Sequence, residues 1–304
     1  MRTGGAALRA ACAFLALAGC GGARTKGVEY APAEKVTGPR LRVAVVEFEN
    51  KTAYGARLGT ASADILVTEL AKTDRFILVE RAKLDKILAE QKLGLSGAID
   101  SDTVAKMGKL LGAAAIVTGA VSEFGVKTRG SDYLITESKR QYAEAVVDVR
   151  IIDAETGQIL HAESGKGKAD AGSMSILGMG TKAGYDETLE GKALRDAIVK
   201  FAGNVVNRLS LIAWSCRVAE VDGPKLYLDA GQRSGLKVGD VLVVIRLGDE
   251  IKSPATGVVI GRKETRIGAA KVTGFFGDDG AVAEMADGIG PAKGDMCRLP
   301  VGAR

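Results

Sequence analysis

The stretch Leu17-Ala18-Gly19-Cys20 carries the most explicit chemistry in this sequence. Small residues leading into a cysteine directly after an apolar run form a lipobox, at which a bacterial secretory precursor is cut before the cysteine and the cysteine is acylated. Arg2 and Arg9 supply the positive start of such a signal, and residues 10–17 its apolar core. That core is far shorter than the ~20 residues a membrane-spanning helix needs. The expectation is a signal over residues 1–19 that is removed, and a lipid anchor on Cys20. An ordinary secretory signal with a chance cysteine, or a fortuitous apolar start, would leave Cys20 without a role. Its place at the cut, with Gly21 and Gly22 following, favours lipidation.

The other reactive side chains are few. Cys12 leaves with the signal, so Cys216 and Cys297 remain. An oxidising envelope would let them pair, and closing a loop of that length stabilises by roughly 4 kcal/mol in the chain-entropy model. The alternative is two separate buried thiols acting as small hydrophobes. With His161 as the only further soft ligand, no metal site is expected. His161 has no serine or cysteine motif around it and reads as a solvated strand residue. Gly178-Met-Gly180-Thr-Lys182 and the segment 184–192 both miss phosphate-loop spacing and read as loop. Glu47 with Glu49, or Asp278 with Asp279, could pair as acid and base. The second pair falls in an inter-strand turn, where carboxylates are ordinarily solvated. No catalytic, cofactor-binding or metal residue is expected, and the chain reads as a non-enzyme.

Composition agrees with a folded, non-nucleic-acid-binding protein. The 304 residues are 46% apolar, enough for a core, while aromatics at 5% are too sparse for a base- or sugar-stacking platform. A net charge of +5, without basic runs interleaved with aromatics, excludes a nucleic-acid partner from the expectation.

The elements that must position these residues read as follows. Residues 20–40, rich in glycine, proline and charge, form a flexible tether. A β-branched run over 41–48 is a strand. Leu58, Ala61, Ile65, Leu66 and Leu70 recur at helical spacing, 76–79 is a second strand, and further helices are expected over 81–91 and from Asp100 or Ser101 to near Gly112. Strands follow over 113–121, 142–152 and 158–168, then a long helix over 189–211. This is an α/β sandwich over 41–212. Beyond Trp214 helical periodicity stops, and short β runs near 225–228, 241–246, 257–260, 269–273, 281–285 and 295–299 predict a small all-β barrel-like domain over 213–304.

An ordered series of motifs in the first domain resembles the CsgG family, lipoproteins named for the curli secretion channel. The series comprises Val43-Ala-Val-Val-Glu-Phe-Glu-Asn-Lys-Thr52, Asp64-Ile-Leu-Val-Thr-Glu-Leu70, Arg75-Phe-Ile-Leu-Val-Glu-Arg81, Leu84-Asp-Lys-Ile-Leu-Ala-Glu-Gln91, Ile116-Val-Thr-Gly-Ala-Val121 and Val149-Arg-Ile-Ile-Asp-Ala-Glu-Thr-Gly-Gln158. The stretch Leu226–Asp240, with Pro254-Ala-Thr-Gly257, resembles the small β domain of the flagellar protein FlgT and its relatives. The family resemblance implies an outer-membrane lipoprotein facing the periplasm that forms homo-oligomeric rings and works with other envelope or surface-assembly proteins. Gly21, which is not an Asp-type retention signal, agrees with that membrane.

In channel members, two hairpins per subunit build a joint barrel, and a membrane strand needs about 9–11 residues with an apolar outward face. Here the first candidate hairpin has Thr136-Glu-Ser-Lys-Arg-Gln141 at its tip, and the second, 161–172, carries Glu163, Lys166, Lys168 and Asp170. The loop 49–57, which is longer and bears aromatics and amides in channel members, offers only Asn50 and Tyr54. The reading that follows is a ring or scaffold in curli-like export or surface assembly, held by its lipid. A true secretion pore and a regulatory lipoprotein activating a cell-wall synthase are the alternatives.

Overall fold

A computed structural model describes residues 38–55, 57–79, 107–108, 110–133, 136–176, 187–257, 259–288 and 290–300, with side chains described outside 129–140, 171–176 and 187–188. The expected signal, most of the tether, the 81–91 helix, most of the helix before Gly112 and the 178–182 loop lie outside these residues.

The first sheet is mixed. It comprises β1 (Leu41–Val45), β2 (Glu49–Asn50), β3 (Phe76–Val79), β4 (Ala115–Tyr133), β5 (Thr136–Asp153) and β6 (Ile159–Ile176), in the order β3-β1-β4-β5-β6 with β2 added beside β4. β1 runs parallel to both β3 and β4, while β4, β5 and β6 form an antiparallel meander. β1 is apolar on both faces because both are covered: Val43 and Val45 point into the main core, Ala44 and Val46 into a smaller one on the other side. β5 alternates instead, burying Ala143, Ala145, Val147, Val149 and Ile151 on one face only.

Helices α1 (Leu58–Ala71) and α2 (Glu187–Leu209) cover the main core. On α2 the residues Leu194, Ile198, Phe201, Val205 and Leu209 recur every three or four positions and are all 0–1% exposed. α2 runs antiparallel to β6 and sits unusually close to it. A Cβ at Gly165 would stand 2.1 Å from the Ala197 carbonyl oxygen, and one at Gly167 would stand 2.0 Å from that of Ala193. Glu69 of α1 is 3% exposed and ties the helices, pairing at 2.8 Å with both Lys72 and Arg195 of α2. β6 is the sheet's edge, and α2 also covers part of its free backbone. Asp196 accepts the Lys168 N–H at 2.9 Å, and Lys200 Nζ donates to the Lys166 carbonyl at 2.6 Å.

The meander is longer than hydrophobicity predicts. The expected strands over 113–121, 142–152 and 158–168 extend to Tyr133, back to Thr136 and on to Ile176, paired along their length with one register shift in each pairing. At 18 or 19 residues they span about 60 Å, against about 34 Å for the 23 residues of α2, so they run on past the helix.

The second sheet closes on itself. β7 (Ser215–Asp222), β8 (Lys225–Leu228), β9 (Val241–Lys252), β10 (Val259–Phe276), β11 (Gly280–Gly288) and β12 (Met296–Arg298) form a barrel in the ring order β10-β11-β8-β7-β12-β9. Two expected runs, 257–260 and 269–273, are parts of the single strand β10, whose five register shifts let it bend round the barrel. β7 carries no strong sequence signal, because a register shift between Val218 and Glu220 breaks its alternation, so that Cys216, Val218 and then Val221 face the core.

Candidate functional site

The sheet and the barrel meet through a polar clamp centred on β1. Arg42 Nη2 donates to the Asp229 carbonyl at 3.1 Å and stands 3.8 Å from Asp279 Oδ2. The side chain passes over Gly112, where a φ of +59° favours glycine and an added Cβ would stand 2.7 Å from Arg42 Nη1, displacing the guanidinium. Asp279, in the turn between β10 and β11, accepts from the Gly231 N–H (3.0 Å), the Ser234 N–H (2.9 Å) and the Ser234 hydroxyl. The Ser234 carbonyl accepts the Arg40 N–H at 2.6 Å, and the Arg40 guanidinium reaches Asp74 at 3.0 Å. Asp229 accepts the Arg217 N–H at 2.7 Å. The expectation that Asp278 and Asp279 are both solvated therefore fails for Asp279, whose side chain is 16% exposed. The 231–234 loop folds over it and offers three donors, a role invisible in a two-residue motif.

A cavity of about 220 Å³ lies within this junction, lined among others by Arg42, Trp214, Cys216, Arg217, Arg262 and Met296. Arg262 Nε is buried there without a hydrogen-bond partner, and Arg262 Nη2 stands 3.6 Å from Glu250. A second tie bridges sheet and barrel nearby, where Gln158 Nε2 donates to the Val259 carbonyl at 2.9 Å. Cys216 and Cys297 face each other across β7 and β12 as buried free thiols, in direct register. The hydrogen bond to Cys297, and then burial, push the Cys216 thiol well above its usual pKa. It is thus a poor nucleophile in this setting.

Three of the acidic residues considered from sequence hold other partners, Asp279 those given above. Glu47 accepts from the Thr60 hydroxyl, and Glu49 lies 3.5 Å from Lys51. His161 is not solvated as expected. Its side chain is 17% exposed, with Nε2 3.2 Å from Glu163 Oε2, and Asn204 of α2 donates to the same carboxylate at 2.9 Å. The three residues join β6 to α2. Asn50 spends its amide within its own loop, donating to the Tyr54 and Gly55 carbonyls at 2.8 and 3.0 Å, while Tyr54 packs edge-on against Phe124.

The sheet face turned away from α2 is charged. Lys168 Nζ lies 2.6 Å from Glu144 Oε1, opposite it in register, and Lys127 approaches the other oxygen at 4.0 Å. The Lys168 hydrogen bond, and then its charge, lower the Glu144 pKa, and Glu144 raises that of Lys168. Along β6 the outward residues Ala162, Ser164, Lys166, Lys168 and Asp170 are all exposed.

The family model described as "Curli production assembly/transport component CsgG" matches residues 27–227. The chain belongs to the CsgG family. The match begins in the tether and runs past the end of α2 into β8. A Neisseria meningitidis serogroup B protein that bears a lipoprotein name is 32% identical over 232 residues, covering 70% of this chain and 98% of that one. Among solved structures, lipoprotein GNA1162 from Neisseria meningitidis is similar at 13% identity and a TM-score of 0.35, over 56% of this chain and 98% of that one. The LpoB C-terminal domain from Escherichia coli is similar at 16% identity and a TM-score of 0.32, over 44% and 86%. Cys20, the residue with the clearest sequence chemistry, lies outside the described residues.

Proposed function

We propose that this CsgG-family chain is a non-catalytic lipoprotein, held to the periplasmic face of the outer membrane by acyl chains on Cys20. It assembles with itself into a ring or scaffold that serves curli-like export or the assembly of surface structures with other envelope proteins. The barrel, through its FlgT-like resemblance, is the second docking surface of that scaffold.

The observation that carries this reading is the outward face of β5 and β6. A strand in lipid turns every second side chain to hydrocarbon, and a Lys or Arg at mid-depth costs about 2–4 kcal/mol. Here the outward positions include Glu144, Asp148 and Arg150 beside Tyr142 and Val146 on β5, and Ser164, Lys166 and Lys168 beside Ala162 on β6. The opposite face is already packed under α2. Neither face of this part of the meander suits lipid, and where the strands run on past α2 the tip sequence Thr136-Glu-Ser-Lys-Arg-Gln141 is charged; both support attachment through the anchor.

Detergent-extracted full-length protein, imaged by electron microscopy and assayed in planar bilayers, tests the proposal. Rings without steady conductance are expected. Rings with stable channels would establish the pore instead, and a monomer that stimulates a cell-wall synthase would establish the regulator. Cys20→Ala should release the chain to the soluble periplasmic fraction. A variant that stays in the membrane would remove the lipoprotein reading.

A further inference from the structure

We propose that Cys216 and Cys297 form a disulfide in the exported protein, made by exchange that enters at Cys216 from the sheet–barrel junction and is completed by Cys297. The inference of an oxidising compartment rests on the lipoprotein reading above; the geometry does not.

Three observations carry the proposal. The cysteines are direct register partners on antiparallel strands, Cys297 opposite Cys216, flanked by Met296 opposite Arg217 and Arg298 opposite Ser215. Directly opposed residues in an antiparallel pair have Cα atoms about 4.5 or 5.5 Å apart, and both values lie within the range a disulfide spans. The bond also falls at the middle of the barrel's shortest strand. β12 has three residues and is all that joins β7 to β9, so a covalent link there holds the seam through which the barrel closes. Finally, the two residues differ in position relative to the junction cavity. Cys216 lines the junction cavity with Trp214 and Arg217, whereas Cys297 is 0% exposed and does not line it.

The chemistry follows from that asymmetry. The oxidant is a protein or small-molecule disulfide of the envelope. The Cys216 thiolate attacks one of its sulfurs, forming a mixed disulfide and releasing the other sulfur as a thiolate. The Cys297 thiolate then attacks Cys216 Sγ and expels the oxidant's remaining sulfur. Two protons leave the chain's thiols, and its two electrons reduce the oxidant to a dithiol or to two thiols. The raised Cys216 pKa makes the thiolate scarce, so exchange in the folded chain is slow and quickens as pH rises.

Full-length protein recovered from the envelope is alkylated before and after reduction, digested and analysed by mass spectrometry. Neither cysteine should be alkylated before reduction, and a linked peptide pair joining Cys216 to Cys297 should be found. Free thiols at both positions in envelope-recovered protein would overturn the disulfide while leaving the export reading intact. If the chain is not exported, the purified folded protein is titrated with oxidised glutathione. Closure to the disulfide supports the geometric argument, and thiols that persist through prolonged incubation at alkaline pH, where the thiolate is no longer scarce, overturn it whatever the compartment. In the same titration Cys297→Ser should trap one glutathione on Cys216, and Cys216→Ser should leave Cys297 unmodified; the reverse pattern would overturn the proposed order. Reduction should raise the unfolding constant on the order of a thousandfold in the parent protein. It should leave the C216A/C297A double variant unchanged, and an equal response in both would count against the bond.

Discussion

Gly167→Ala probes the contact on which the sheet–helix packing turns. The added methyl would stand 2.0 Å from the Ala193 carbonyl oxygen, 2.4 Å from the Ala197 nitrogen and 2.9 Å from Ala197 Cβ. Two of these atoms are helix backbone, so no rotamer change relieves the clash and α2 must lift by about 1 Å. That movement loosens the stripe from Leu194 to Leu209 against the main core. Overpacking of this kind costs about 3 kcal/mol, offset by about 0.5–1 kcal/mol from the lost freedom of glycine in the unfolded chain. The net loss of about 2 kcal/mol lowers the melting midpoint by about 4–8 °C for a chain of this size. Far-UV circular dichroism of the lipid-free Cys20→Ala protein measures it. Two controls keep the test specific. Gly125 on β4 and Gly203 on α2 have nothing within 4 Å of an added Cβ. Gly125→Ala should therefore be near neutral, and Gly203→Ala should stabilise by about 1 kcal/mol from helix propensity alone. A Gly167→Ala protein melting at or above the parent would refute the packing argument.

Asp295 is 4% exposed, receives Arg246 Nε and Nη2 at 2.9 Å each and accepts the Ala292 N–H at 2.7 Å. Asp295→Ala should destabilise the barrel by about 2 kcal/mol in denaturant unfolding, below the value for a fully buried pair because Arg246 is partly exposed. Burial raises the Asp196 pKa, but the Lys200 hydrogen bond, the Lys168 N–H and the Lys200 charge together outweigh it, so the folded value is lowered. Its contribution is therefore complete above the ordinary aspartate range near ~4 and lost as pH falls through the lowered folded value. Asp196→Asn should show a flatter decline in stability between about pH 5 and pH 2 than the parent. Arg42→Ala removes the guanidinium that links β1 to Asp229 and Asp279. Trp214, lining the same cavity, should shift its emission to the red while far-UV ellipticity is retained.

The sequence makes an element legible where one face is buried at a single period. α2 shows its stripe because Leu194, Ile198, Phe201, Val205 and Leu209 are large and regularly spaced. β5 shows its alternation from Ala143 to Ile151 for the same reason. The outer halves of β4, β5 and β6 are hidden because the sequence there has no sustained apolar alternation, while the strands stay paired in register with their neighbours. β6 is further masked at Gly165 and Gly167, where the helix approaches so closely that glycine stands in place of the apolar residue that would mark a buried face. The clamp was unreadable for a different reason. Arg42, Asp229, Ser234 and Asp279 are scattered along the chain, and only the closing of the barrel against β1 brings them together. Cys216 and Cys297 lay between these cases. Their identities were visible, but their opposition depends on which strands the barrel pairs.

The clamp at Ser234 also determines how the molecule bears a mechanical load. With the anchor proposed for Cys20, any tension between membrane and cargo enters the described structure at Gly38–Arg40. There it meets the Arg40 N–H bond to Ser234 and the Arg40–Asp74 pair before it reaches Leu41. The pull is thereby divided between the barrel's loop and a strand flanked on both sides by parallel neighbours. Tension along β1 loads its ladder in shear, so many bonds share the force at once instead of parting in sequence like a zip. If Cys20 carries the proposed anchor, the pull is therefore taken up at the seam where the sheet and the barrel are joined.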